Sequence, residues 1–378
     1  MPAANTLYAV SNTWIQEVKY KGWGKLPTND DSTVTTDQSA WAQFRSLVEK
    51  STTVSNPYNT TTIVSTYSLV YTTSTGAYQG GVLAPNGDIH FVPHRANRGQ
   101  KISATGVAST YSLVYTANPA YAGGVLAPNG DIHFVPSGAT RGQKISASGI
   151  VSTYSLVYTV SDAYGGGVLA PNGDIHFVPW AATRGQKISA AGVVSTYSLV
   201  YTVAYGYFGG VLAPNGDIHF VPYNATMGQK ISAAGVVSTY SLVYTASAAY
   251  FGGVLAPNGD IHFVPWVATM GQKISAAGVV STYSLAYTGG GYEGGVLAPN
   301  GNIHFIARSA PVGQKISTSG VVSTYSLVYA GGYACGVLAP NGDIHFVPYD
   351  ATRGQKITTY PGKNFNKSIC LSPWLNKF

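Results

Sequence analysis

The stretch Gly80–Pro93, GGVLAPNGDIHFVP, is the first of seven near-identical copies. Further copies begin at Gly123, Gly166, Gly209, Gly252 and Gly294, and the last begins with Cys335 in place of the first glycine. The histidines His90, His133, His176, His219, His262, His304 and His345 mark the period, with spacings of 43, 43, 43, 43, 42 and 41 residues. A period of this length that carries only strand signals belongs to propeller blades. Helical repeats would show apolar residues every three or four positions, and no such period is present.

Four strands are legible in each period. GGVLA is the first, with glycines that suit the crowding near a propeller axis. DIHFVP is the second, joined to the first through Pro-Asn-Gly, whose Asn-Gly is the signal of a type I′ hairpin turn. GQKIS is the third. VVSTYSLVYT, rich in β-branched and aromatic residues, is the fourth. The array opens with a lone fourth strand at Thr61–Thr72 and closes with the third strand of the seventh copy at Gly354–Thr358. One strand too many at the front and one too few at the back are what ring closure requires, since closure leaves no sheet edge open. The expectation is an all-β, closed seven-bladed β-propeller with four-stranded blades over residues 61–358, in which 61–72 complete the last blade.

Composition is consistent with this. Of the 378 residues, 45% are apolar, 9% are charged and 45 residues are glycine. The net charge of +7 is spread as about one lysine per copy, Lys101 to Lys356, with no basic run, so a nucleic-acid partner is not expected. Cys335 and Cys370 are too few for a disulfide framework. Met1–Tyr20 lacks the pattern of a Sec signal peptide, and no stretch is apolar for long enough to insert in a membrane.

The copies differ from one another only at certain places. Pro-Asn-Gly is invariant and the link between the third and fourth strands nearly so. The link into each first strand varies, and so does the link between the second and third strands: HRANR, SGATR, WAATR, YNATM, WVATM, RSAPV, YDATR. Antiparallel strands alternate in direction, so both variable links emerge on one face of the disc. Loops on a rigid scaffold are where recognition is usually carried. The first residue of the latter link is in turn His94, Ser137, Trp180, Tyr223, Trp266, Arg308 and Tyr349. Two Trp and two Tyr among seven point to stacking or interface anchoring. One tyrosine recurs in the link into the first strand. Tyr164, Tyr207 and Tyr250 are examples, expected to ring the channel mouth, with packing against the neighbouring blade as the alternative. The candidate binding residues are therefore His94, Trp180, Tyr223, Trp266, Arg308, Tyr349, Tyr164, Tyr207 and Tyr250.

Asp-Ile-His recurs with Asp and His on one side of the second strand, as in Asp88 and His90, and the sixth copy has Asn302 and His304. Seven equivalent pairs inside a sheet suit structural histidines bonded to a neighbouring Ser, Thr or Asp better than a catalytic or metal site. Glutamate occurs only at Glu17, Glu49 and Glu293, and a glycosidase acid would have to be Glu293. No enzyme activity, cofactor or metal is expected. Outside the ring, Ala40–Lys50 reads as a short amphipathic helix in an N-terminal extension (1–60) that could attach the propeller to something. Asn366–Phe378 reads as the docking segment of a C-terminal tail (359–378).

The repeat core GVLAPNGDIHFVPYNATMGQKI, Gly210–Ile231, resembles the GVLAPNG-type propeller repeats of tailed phages, large DNA viruses and some bacteria. The ending SPWLNKF, Ser372–Phe378, is similar to the endings of such viral proteins. The resemblance implies a virion surface protein, a tail, fibre or capsid-surface component, and lends no catalytic residue. On it, the variable face is expected to bind a host-surface glycan or receptor, or other virion proteins. The alternatives are a cellular propeller lectin or adhesin, and a purely structural decoration or plug protein of the virion.

Overall fold

The computed structural model describes residues 62–73 and 75–358. The expected helix at 40–50, the rest of the extension, Cys370 and the tail lie outside these residues.

Among the described residues, twenty-eight strands, numbered β1 to β28 in chain order, form seven four-stranded antiparallel sheets. The first complete blade is β2 (Tyr78–Leu83), β3 (Ile89–Pro93), β4 (Arg98–Ile102) and β5 (Ala108–Ser112), side by side in that order. The last blade is β26 (Tyr333–Leu338), β27 (Asp343–Pro348) and β28 (Arg353–Thr358), completed by β1 (Ile63–Ser68) from the front of the array. Ile63 stands opposite Thr358 and Ser68 opposite Arg353. The innermost strands are β2, β6 (Tyr121–Leu126), β10 (Tyr164–Leu169), β14 (Tyr207–Leu212), β18 (Tyr250–Leu255), β22 (Tyr292–Leu297) and β26. Each touches the next, and β26 touches β2, so the ring is closed as expected.

Two local expectations change. The fourth strands are shorter than their apolar runs: β1 stops at Ser68, and Val70 and Tyr71 donate their backbone N–H groups to Oε1 of Gln100 at 3.0 and 2.8 Å. Gln100 is fully buried in β4, so this glutamine fastens the segment that crosses from one blade to the next. The Pro-Asn-Gly turn is not type I′. Gly87 N–H donates to the Ala84 carbonyl at 2.9 Å, and of the turn residues only Gly87 has positive φ, 87°. Pro85 sits at the second position of the turn, where its ring holds φ near −65° and forbids the I′ conformation.

The core lies between blades. Tyr78, Ile89 and Phe91 of the first blade pack with Val337 and Val347 of the seventh. A Cβ at Gly81 would come within 2.7 Å of Val337 Cγ2, which is why the inner strands carry paired glycines. The repeated lysines are mostly neutralised in place: Lys101 Nζ lies 2.6 Å from Asp88 Oδ2, and five other blades repeat the pair. In the sixth blade Asn302 replaces the aspartate, and Lys315 donates to Thr62 Oγ1 at 3.2 Å.

Candidate functional site: the mouth of the variable face

A belt of backbone hydrogen bonds encircles the variable face. Trp180 N–H donates to the Ala163 carbonyl of its own blade at 2.9 Å, and its carbonyl accepts from Gly206 N–H of the next blade at 3.2 Å. The same two bonds are made at His94, Ser137, Tyr223, Trp266, Arg308 and Tyr349, and Ala77 N–H to the Tyr349 carbonyl, at 2.7 Å, completes the circle. The main chain of the variable residue is thus held in the same way in every blade, whatever its side chain.

These side chains divide the mouth into two unlike halves. Across blades three to five, Trp180 meets Tyr223 with ring centroids 4.6 Å apart, Phe208 at 4.8 Å and Tyr205 at 5.1 Å. Phe208 lies 3.8 Å from Phe251, which lies 5.6 Å from Trp266. Edge-on and tilted pairings of this kind are favourable beyond the area they bury. Trp180, Tyr223 and Trp266 are half-buried, and Tyr205 is 42% exposed. Across blades six, seven and one the mouth is polar. Arg308 Nη1 donates to Glu293 Oε2 at 2.7 Å, its Nη2 lies 3.2 Å from Asp350 Oδ2, and its guanidinium stacks 3.4 Å above the Tyr349 ring. Gln79 Nε2 donates to Glu293 Oε1 at 2.9 Å, and Gly76 N–H donates to Asp350 Oδ1 at 2.8 Å. Burial pushes the Glu293 carboxyl above the usual carboxylate range, against the pull of Arg308 and Gln79. Burial also pushes the neighbouring Cys335 thiol up to about 12, which keeps it protonated. Burial holds the Tyr223 hydroxyl above its ordinary value, and the Glu293 carboxyl adds to the shift.

Strain follows the same division. Two residues before the recurrent tyrosine, Asp162, Tyr205 and Ala248 adopt φ of 54°, 56° and 55°. Blades six, seven and one place Gly290, Gly331 and Gly76 there. A bulky side chain in this region is disfavoured, and such strain clusters at functional sites.

The sequence expectations meet this geometry unevenly. Trp180, Tyr223, Trp266, Arg308 and Tyr349 are brought together at the mouth. His94 is there too, but only 7% exposed; its Nδ1 lies 3.1 Å from the Tyr121 carbonyl. Tyr164, Tyr207 and Tyr250 do not ring the mouth. They are at most 1% exposed, and their hydroxyls donate to the carbonyls of Arg184, Met227 and Met270 at 3.1, 2.7 and 2.9 Å. The cause is strand alternation: the tyrosine points into the interblade core, so the residue after it faces the channel. That next residue is Gln79, Ala122, Gly165, Phe208, Phe251, Glu293 and Ala334 in turn, a second variable position as informative as the first. The seven histidines are buried, and where they have a side-chain partner it is the tyrosine of the fourth strand, as in His176 Nδ1 to Tyr197 hydroxyl at 3.3 Å, not the expected Ser, Thr or Asp.

No protein-family model matches the sequence, and no curated protein matches it. Solved structures do match the ring. A streptogramin B lyase is 21% identical over 79% of this chain and 97% of its own, with a TM-score of 0.68. Virginiamycin B lyase from Staphylococcus aureus is 19% identical over 79% and 99%, with a TM-score of 0.70. An auxiliary nutrient-binding protein from Bacteroides ovatus is 13% identical over 80% and 77%, with a TM-score of 0.54. At these identities the likeness is one of fold. It nevertheless corrects the expectation that the chain is not an enzyme, because propellers of this form include lyases. One ground for that expectation, the ring of six Asp–His pairs and one Asn–His pair, does not reach the mouth, which no symmetry repeats and which holds a buried carboxyl beside a guanidinium.

Proposed function

We propose that the ring is a recognition module, displayed on a virus particle, whose mouth binds a ring-bearing group of a host-surface glycan or protein. The observation that carries the reading is the confinement of side-chain variation to the links and strand starts of one face, at the mouth that the main-chain belt encircles. That variation has assembled one aromatic surface unlike anything else around the ring. The repeat's resemblance to viral propeller sequences supports the setting on a particle. The same architecture occurs in a nutrient-binding protein and in lyases, so it is one that serves ligand-handling proteins.

The test is attachment of the purified chain to host cells. Trp180→Ala or Trp266→Ala should weaken it by about 2 kcal/mol, roughly 30-fold, if either is an anchor. Val193→Ser, at a 61% exposed position on the opposite face, should change nothing. Unchanged attachment in both Trp variants, with loss in the Val193 variant, would move recognition to the other face.

A further inference from the structure

Resting on that reading, we infer that the mouth takes one uncharged glycan per ring, with a sugar face stacked on Trp180, Tyr205 and Trp266 and its hydroxyls turned to the polar half.

Three observations lead there. The first is charge. Two arginines stand beside the mouth, both in its polar half: Arg308, whose fork and face are taken up by Glu293, Asp350 and Tyr349, and the exposed Arg95 of the first blade, next to Gly76 and Tyr349. At the start of the third strand, on the rim of the same face, blades four to six carry Met227, Met270 and Val312, whereas the other four carry Arg98, Arg141, Arg184 and Arg353. Blades four and five, which hold Tyr223, Phe208, Phe251 and Trp266, therefore present no cation at this rim position, so the aromatic surface there offers stacking and no charge to recognise an anionic sugar or phosphate.

The second is the kind of polar group on offer. The Asp350 side chain is 40% exposed, and each of its oxygens makes one bond, to Gly76 N–H and to Arg308. A carboxylate oxygen has a second lone pair, so Asp350 can accept further donors. A partner that brings many hydroxyl donors and no charge fits such acceptors beside an aromatic surface; an apolar peptide segment would leave them unpaired, at a cost. The third is strain. Tyr205 keeps a bulky side chain at φ 56°, where its counterparts in three other blades are glycine, and its ring stands exposed beside Trp180. A side chain retained against its own backbone preference is retained for what it touches.

The experiment presents the full chain to an oligosaccharide array with neutral, sialylated and uronic-acid members, then titrates the best binder by calorimetry. Host cells treated with periodate or with protease are run alongside. The expected result is binding to neutral members, one per ring, lost on periodate treatment. Tyr205→Gly should weaken it about tenfold or more without lowering the melting temperature, since glycine relieves the backbone, and Asp350→Asn should weaken it as well. Binding confined to acidic members, about seven ligands per ring, or sensitivity to protease but not periodate would overturn the glycan assignment and leave the recognition reading standing. Binding indifferent to Trp180→Ala and Trp266→Ala, or no binding to array or cells, would overturn both.

Discussion

His176 shows what a repeated residue does when each copy meets the same surroundings. It is 6% exposed, its Nδ1 reaches the Tyr197 hydroxyl, and burial pushes its imidazole down to about 4. His90, His133, His219, His262 and His345 are pushed to about 4 in the same way, and His304 to about 3. Above the ordinary histidine value both folded and unfolded chains hold these rings neutral, so there is no effect. Between about 6.5 and 4 the unfolded chain takes up protons that the folded ring refuses, and stability must fall with pH across that window. Denaturant midpoints measured from pH 7 to pH 4.5 should drop steeply. His176→Gln should cost about 1–3 kcal/mol at pH 7 and make the pH slope shallower by close to one proton. A midpoint independent of pH over this range would contradict the account. The histidine period is plain in the sequence, but its partner is not. Tyr197 lies 21 residues further on, and its ring lies across Gly185, where a Cβ would strike it. The glycine that opens each GQKI motif gives no sign in the sequence of the tyrosine ring that covers it.

At the level of elements, ring closure was open to prediction because it depends on counting strands, and strand order follows from the chain. The limits of β1 were harder to foresee. SLVYT is as apolar as the strand before it, and what ends the pairing is a buried glutamine from another blade. The belt around the mouth left no trace in the residue types, because it is made of main-chain groups; only its result, tolerance of change at seven places, shows in the sequence. The tyrosines went the other way, since invariance beside a variable loop looks the same for a lining residue and a core residue. Closure itself can be tested by truncation. A chain beginning at residue 57 retains β1, and one beginning at residue 73 lacks it. The second should expose the edge of β28, lose the Tyr67 hydroxyl that lies 3.1 Å from His345 Nδ1, and either unfold at much lower denaturant or associate through the bare edge. Equal stability of the two as monomers would mean that β1 does not hold the last blade.

For the molecule as a whole, the two faces have different duties. The face of Pro-Asn-Gly turns repeats almost without change and carries one exposed apolar side chain per complete blade, such as Val107, Ile150 and Val193. The opposite face carries the divided mouth. The described chain enters at Thr62 and leaves at Thr358, and because Ile63 pairs with Thr358 both points lie on the unvarying face. Both ends of the described chain therefore lie on the face opposite the mouth.

That shared exit also sets how the ring fails under force. A pull between Ile63 and Thr358 falls on the terminal rung of an antiparallel ladder, so the six paired positions from Ile63 to Ser68 separate in succession, like a zip. A pull between Ser68 and Thr358 runs along the same ladder and loads all rungs together. In single-molecule stretching, handles at the first pair should open the last blade at distinctly lower force than handles at the second; equal rupture forces would show that the β1–β28 ladder does not bear the load. A ring tethered by one end only, and tugged through a ligand at its mouth, escapes the zip altogether.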